Sequence, residues 1–137
     1  MNSSQPMSLM DFVAAARAQI KEVDPAGLQG MLAGNPDLLV VDVRESSEHE
    51  QGHIKGALLV PRGILEAAAD FNYPKRVESL VTARERPVVL YCATGGRSAM
   101  AALTLQQMGF KDVCSLAGGF ARWQQEGAPV VAGARYV

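Results

Sequence analysis

Short apolar runs alternate along the chain with stretches in which apolar residues recur every three or four positions. The clearest run covers residues 38–43 and is interrupted only by Asp42. A continuous run of this length is typical of a strand that is buried on both faces of a parallel sheet. Similar runs predict further strands at residues 57–60, 87–91 and 112–116.

Helical spacing of apolar residues fills the intervals between these strands. The predicted helices cover residues 8–20, 25–34, 64–69, 77–83, 97–108 and 120–126. Asp24 is suited to be an N-cap because Pro25 follows it at the first helical position. Gly109 and Gly127 are suited to end the helices that precede them.

This alternation predicts an α/β fold with a mostly parallel central sheet and helices on both faces. We assign residues 20–137 to this domain and residues 1–19 to an N-terminal helical extension. The amphipathic helix of the extension carries an apolar stripe that includes Leu9, Phe12 and Val13. Such a stripe can pack on its own domain or pair two subunits, so a monomer and a homodimer both remain open.

The composition narrows the classes of partner. The chain has 137 residues and a formal net charge of −1, whereas a nucleic-acid-binding domain usually shows a basic excess. No apolar segment approaches the ~20 residues that a membrane span needs, and the N-terminus lacks the basic region of a signal peptide. We therefore expect no nucleic acid partner, no membrane association and a cytoplasmic location.

The cysteines and histidines give no sign of a cofactor. Cys92 and Cys114 are too few for a disulfide framework and too far apart for a CxxC pair. His49 and His53 have no partners at metal-ligand spacing, so we expect no metal site and no cofactor. Cys114 lies within an apolar strand and is predicted to be buried filler.

Cys92 is different, because it opens a short loop between a strand and a helix. The loop has the sequence Cys-Ala-Thr-Gly-Gly-Arg-Ser, and ligands of open α/β sheets bind beyond the carboxyl ends of strands. Backbone N–H groups from Thr94 to Arg97 can close around a small anion, which the Arg97 side chain and the helix dipole would also favour. These features favour thiolate over thiol and make Cys92 a candidate nucleophile.

Three segments carry a resemblance to a known family. They are residues 41–57, which contain Asp-Val-Arg-Glu and Gly-His-Ile-Lys-Gly-Ala, the loop 92–98, and residues 116–123 with the sequence Leu-Ala-Gly-Gly-Phe-Ala-Arg-Trp. In this order and spacing they resemble the single-domain rhodaneses, which are sulfurtransferases, over roughly residues 20–131.

The first and third of these segments are interpreted as structural. Asp42 and Arg44 are expected to end a buried strand, and Gly52 and Gly56 to satisfy tight turns. The remaining structural candidates are Gly118 and Gly119, which allow close packing, and Trp123, which fills a core or rim site.

The resemblance implies a sulfurtransferase in which Cys92 takes sulfane sulfur from thiosulfate or a thiol persulfide and carries it as a persulfide. A thiol or cyanide acceptor would then collect it, and sulfur-relay proteins are further candidate partners. Cys92 and Arg97 would be catalytic, with Arg97 either binding the donor or bracing the loop through a carboxylate. The implied substrate-binding residues are Ala93, Thr94, Gly95, Gly96, Arg97 and Ser98.

Two other functions remain open. Cysteine-dependent phosphatases, with arsenate reductases, place five residues between cysteine and arginine. Four separate Cys92 from Arg97, and the shorter ring suits a single sulfur atom better than a phosphate. The second alternative is a non-enzymatic sulfur carrier or binding module.

The residue after the cysteine bears on the choice of donor. Many thiosulfate-using relatives carry a basic residue at this position, which is Ala93 in this chain. The missing charge predicts weak capture of the thiosulfate dianion and better use of thiol persulfides.

Overall fold

A computed structural model of the protein describes residues 5–133. Its centre is a five-stranded sheet in the order β1-β5-β4-β2-β3, and every neighbouring pair of strands is parallel. The strands are β1 (Lys21–Val23), β2 (Leu39–Asp42), β3 (Leu58–Leu59), β4 (Pro87–Tyr91) and β5 (Asp112–Leu116). The expected α/β fold with a parallel sheet is confirmed.

Helices follow or precede each strand. They are α1 (Leu9–Arg17), α2 (Pro25–Gly34), α3 (Ser46–Gln51), α4 (Leu65–Ala68, after a 3₁₀ turn at Arg62–Ile64), α5 (Glu78–Val81), α6 (Gly96–Gln107) and α7 (Gly119–Gln125). None of the helices within residues 5–133 combines the length and apolar composition needed to cross a membrane.

The sheet separates two apolar cores, one on each face. Successive side chains of a strand point to opposite faces, so Val88 and Leu90 of β4 join one core while Val89 and Tyr91 join the other. Helix α6 covers the first core with Ala101, Ala102 and Leu105, and the second contains Leu28 of α2 with Phe120 and Trp123 of α7. Cys92 continues the alternation and belongs to the α6 side.

Two elements were missed by the sequence analysis. Strand β1 has three residues and a single apolar side chain, Val23, so no run marks it. Helix α3 has the polar sequence Ser-Ser-Glu-His-Glu-Gln and is only six residues long. Its start is stabilised instead by a capping box between Glu45 and Glu48, a local signal independent of apolar periodicity.

One of the two turn glycines was predicted wrongly. Gly56 has a φ of +82°, as a tight turn requires. Gly52 has a φ of 174°, which is extended backbone open to any residue. What restricts Gly52 is space, because a Cβ atom there would lie 3.3 Å from Cγ1 of Val130 and 3.5 Å from the ring of Phe120.

The N-terminal helix α1 packs against α6 of its own chain. Val13 and Ala16 are buried in this contact, while Leu9, Met10 and Phe12 stay more than half exposed. Ser8 caps the helix, accepting a hydrogen bond from the backbone N–H of Asp11 at 3.1 Å. The stripe is thus divided between an intramolecular contact and an open surface. The division of the chain into an extension of residues 1–19 and a domain of residues 20–137 stays a prediction.

Candidate functional site

The Cys92 sulfur lies directly below the first turn of α6. The side chain is 1% exposed, and Sγ accepts hydrogen bonds from the backbone N–H groups of Gly95 at 3.0 Å and Ser98 at 3.4 Å. Gly95 is the N-cap of α6 and has no side chain to satisfy the free amides of the first turn. The sulfur takes that place, so the thiol caps the helix that follows it.

The amides of Thr94 to Arg97 are predicted to close around a bound anion, and this cradle stays a prediction. The donors to Sγ itself among the described residues are Gly95 and Ser98. Ser98 occupies the third helical position, where an N–H group normally bonds to the N-cap side chain. Its amide therefore points back along the helix axis to the sulfur.

The backbone conformation at Gly95 favours glycine, and the position is closely surrounded. Its φ of +104° is in the left-handed region. A Cβ atom at this position would lie 3.2 Å from Nη2 of Arg17 and 3.4 Å from the backbone nitrogen of Gly118. The loop is thus pressed between α1 and the turn before α7.

The start of α7 fixes the loop from the other end. The N–H groups of Phe120 and Ala121 donate to the carbonyls of Cys92 at 2.8 Å and Ala93 at 3.0 Å. A Cβ atom on Gly119 would come within 2.7 Å of both of these carbonyl oxygens. The Gly-Gly pair of the third segment therefore brings α7 close enough to bind the backbone of the cysteine loop.

The Ser98 hydroxyl ties the same loop to the neighbouring strand. It donates to the carbonyl of Gly95 at 3.3 Å and lies 2.8 Å from the hydroxyl of Ser115 on β5. Both serines are fully buried. This hydroxyl pair fixes the first turn of α6 against the sheet.

Arg97 faces a carboxylate from α3. Its two terminal nitrogens each lie 3.3 Å from an oxygen of Glu48, and both side chains are a little over one third exposed. The hydrogen bond to Arg97 lowers the pKa of Glu48, and the same bond raises the pKa of Arg97. This is the bracing arrangement of the two roles considered for Arg97.

A buried charge network supports the strand ends beside the loop. Arg44 donates to both carboxylate oxygens of Asp42, at 2.9 and 2.8 Å, and Nδ1 of His49 lies 2.9 Å from the same carboxylate. The Tyr91 hydroxyl also donates to Asp42 at 3.1 Å. Burial favours a raised pKa for Asp42, but the bonds from Arg44 and His49 outweigh it, so its pKa lies below the ordinary value. The structural role predicted for Asp42 and Arg44 fits this network.

Cys114 is only half-buried, so its assignment as buried filler was partly wrong. It lies on β5 opposite Lys21 of β1, the strand that the sequence analysis missed. Because β1 is short and exposed, it covers this part of β5 incompletely. Burial raises the pKa of the Cys114 thiol, which keeps it protonated.

A cavity of about 490 Å³ opens in front of Cys92. Its walls come from two elements, the cysteine loop and α1, and they are formed by Leu9, Met10, Val13, Arg17, Cys92, Thr94, Gly96 and Arg97. Of the predicted site residues, Ala93, Gly95 and Ser98 shape the loop without lining this cavity. Sequence reasoning missed the contribution of α1, because a cation on a helix far from the loop belongs to no local motif.

The rhodanese-like domain family matches residues 24–126, and the chain belongs to this family. A sulfurtransferase from Allochromatium vinosum is 35% identical over 113 residues, which cover 82% of this chain and 96% of that protein. Thiosulfate sulfurtransferase GlpE from Coxiella burnetii is 34% identical over 88 residues, covering 64% of this chain and 73% of that protein.

One solved structure is similar over nearly the whole chain. The protein RPA3614 from Rhodopseudomonas palustris, described as a possible tyrosine phosphatase of unknown function, superposes with a TM-score of 0.85 at 31% identity. The match covers 96% of this chain and 99% of that one.

Other relatives are much longer than this chain. The match spans 28% of the probable adenylyltransferase/sulfurtransferase MoeZ of Mycobacterium tuberculosis and 26% of a tRNA uridine(34) hydroxylase of Pectobacterium carotovorum. The same domain thus occurs in proteins with different named activities.

Proposed function

We propose that this protein is a sulfurtransferase that moves sulfane sulfur from a donor to a thiophilic acceptor through a persulfide on Cys92. The observation that carries the proposal is the position of Sγ. It accepts hydrogen bonds from two backbone N–H groups and lies at the floor of an open cavity. Sulfurtransferase-named relatives at 34–35% identity agree with it.

The proposed reaction has two displacement steps. The Cys92 thiolate attacks the outer sulfur of the donor, the donor S–S bond breaks, and the donor leaves as a thiolate or, from thiosulfate, as sulfite. The acceptor thiolate then attacks the outer sulfur of the cysteine persulfide, and Cys92 leaves as the thiolate. Sulfur is transferred without net oxidation, so the cycle needs no redox partner.

The loop supplies the electrostatics of both steps. N–H groups already in place stabilise negative charge without reorganising when it develops, as oxyanion-hole donors do. Gly95 and Ser98 would hold the sulfur of Cys92 itself. Arg97, braced by Glu48, would neutralise the anionic outer sulfur or the leaving group at the cavity wall.

Thiol persulfides are the favoured donors. Ala93 adds no positive charge beside the cysteine, so thiosulfate should be captured weakly. Steady-state kinetics would test this: we expect a high KM for thiosulfate and a lower one for glutathione persulfide. A KM for thiosulfate well below that for the persulfide would contradict this preference.

Phosphatase activity is the second candidate, favoured by the description of RPA3614. The four-residue spacing between Cys92 and Arg97 argues against it, since a phosphate needs a wider ring of amides. Hydrolysis of p-nitrophenyl phosphate that disappears in Cys92→Ser would reverse this ranking.

A carrier without small-molecule turnover would still accept sulfur on Cys92, and relay proteins would be its partners. Addition of sulfur to Cys92 is the step that the enzyme and the carrier share. It is tested by measuring the intact mass of the protein after treatment with a persulfide donor. Gain of one sulfur atom by the wild type and none by Cys92→Ala supports the enzyme or carrier over a binding module. The cytoplasmic location and the choice between monomer and homodimer stay predictions.

A further inference from the structure

Helix α1 brings a second guanidinium to the cavity that contains Cys92. Arg17 is the last residue of this helix and lines the cavity. Its Nη2 atom lies against Gly95, 3.2 Å from where a Cβ atom would be, and the N–H of Gly95 donates to the Cys92 sulfur. A positive charge thus lies next to the loop although Ala93 provides none.

The guanidinium of Arg17 is only partly engaged. Its Nε atom lies 3.5 Å from Glu22 in a pair in which both side chains are at least one third exposed. An exposed pair at this distance contributes little free energy. Glu22 contacts Nε, whereas Nη2 lies beside Gly95 of the loop, so an anion in the cavity would not need the nitrogen that Glu22 uses.

The rest of the α1 wall is apolar. Leu9, Met10 and Val13 line the cavity, and the first two are 67% and 61% exposed. A volume of about 490 Å³ is in the range of sites for small organic molecules. Thiosulfate has no carbon and would leave these side chains in water, whereas an organic donor would cover them.

We propose that the sulfur donor is an organic persulfide that carries a carboxylate, and that α1 recognises it. The carbon body would rest on Leu9 and Met10, and the carboxylate would pair with Arg17. Arg17 is then a specificity-determining residue that acts on the donor and not on the reacting sulfur. This inference rests on the proposed sulfurtransferase function: Cys92 takes the outer sulfur, and the donor leaves as a carboxylated thiolate.

The test compares two donors that differ only in charge, the persulfides of 3-mercaptopropionate and of 3-mercaptopropanamide. We expect wild type to prefer the acid in kcat/KM, mainly through KM. In Arg17→Gln the preference should fall by about fivefold, the effect of one partly exposed charge pair, and Arg17→Lys should retain part of it. Arg76→Gln is the matched control, because Arg76 is also a partly exposed arginine paired with a glutamate and does not line the cavity.

The apolar contact is tested separately with Leu9→Ser and Met10→Ser, which change exposed side chains. Both should raise KM for the acid and the amide alike, and by a larger factor than they raise KM for thiosulfate. An acid-to-amide ratio that is the same in wild type and Arg17→Gln would overturn the proposal. So would an equal rise in KM for thiosulfate in Arg17→Gln, which would make Arg17 a general anion receptor.

These outcomes are distinct from failure of the proposed function. If no donor adds sulfur to Cys92 of the wild type, the sulfurtransferase proposal fails and this one with it. If sulfur is added normally but the acid-to-amide ratio of kcat/KM is the same in wild type and Arg17→Gln, only the inference about α1 is wrong. Circular dichroism of each variant shows that the comparison is made between folded proteins.

Discussion

Arg97 and Glu48 face each other across the mouth of the cysteine loop, with both terminal nitrogens of the arginine 3.3 Å from a carboxylate oxygen. The two residues are 49 positions apart, and the pair joins α3 to the first turn of α6. It holds the guanidinium in a defined orientation before any donor arrives. Preorganisation of this kind lowers the free-energy cost of binding an anion.

Glu48→Gln should therefore reduce activity more than stability. Glutamine can keep the capping-box bond to the N–H of Glu45 but loses the charge that orients Arg97. We expect kcat/KM for sulfur transfer to fall by about fivefold, which corresponds to ~1 kcal/mol, and the free energy of unfolding to change by less than about 1 kcal/mol.

Glu50→Gln is the control for this substitution, because Glu50 is an exposed carboxylate on the same helix. Its kinetics should match wild type. Equal activity of Glu48→Gln and wild type would show that the brace contributes nothing to the reaction.

Gly119→Ala should damage both the fold and the site. Its φ is +62°, and the added methyl group would lie 2.7 Å from the carbonyl oxygens of Cys92 and Ala93. We expect a loss of ~1–3 kcal/mol in the free energy of unfolding and a fall in sulfur transfer, since the start of α7 would be pushed away from the loop.

Gly30→Ala is the matched control for that glycine. Gly30 lies within α2, and a Cβ atom there meets nothing within 4 Å. Alanine should stabilise the protein by up to about 1 kcal/mol with unchanged kinetics. Chemical denaturation measures both variants; a Gly119→Ala protein as stable as wild type would refute the close-packing account.

The stability of the fold should fall in mild acid because of His49. Burial lowers the pKa of the His49 imidazole below 6.5. The hydrogen bond to Asp42 opposes this shift, whereas the nearby His53 and Arg44 add to it. The unfolded chain thus binds a proton at a higher pH than the folded one. Stability from this source is complete above pH 6.5 and decreases as the pH falls through the lower pKa of the folded protein.

Urea unfolding at a series of pH values between 7 and about 5 checks this expectation. In His49→Asn, which can still donate to Asp42 but does not titrate, the free energy of unfolding should depend less on pH in this range. A variant with the same pH dependence as wild type would assign the effect to another group.

The sequence predicted the parts of this protein that depend on buried periodic patterns. β2 and β4 are continuous apolar runs, α6 is rich in small apolar residues, and the loop between β4 and α6 contains a recognisable sequence. The two missed elements carry no apolar periodicity. β1 forms because the distant strand β5 offers it an edge, whereas α3 is a short polar helix whose start is stabilised locally by a capping box.

The candidate site, like the fold, was predicted only in part. A carboxylate brace was one of two roles left open for Arg97, and the position of Cys92 between a strand and a helix was predicted from the sequence of the loop. The wall made by α1 was not, because Arg17 approaches Gly95 only after α1 has packed on α6 through Val13 and Ala16. A contact between residues so far apart leaves no mark in the local pattern.

The most direct test of the account is the intact mass of the protein after brief exposure to glutathione persulfide and removal of the excess donor. We predict a gain of one sulfur atom in the wild type, its loss on addition of a thiol acceptor, and no gain in Cys92→Ala, where Cys114 remains. No gain in the wild type, or an equal gain in Cys92→Ala, would contradict the claim that Cys92 carries the sulfur.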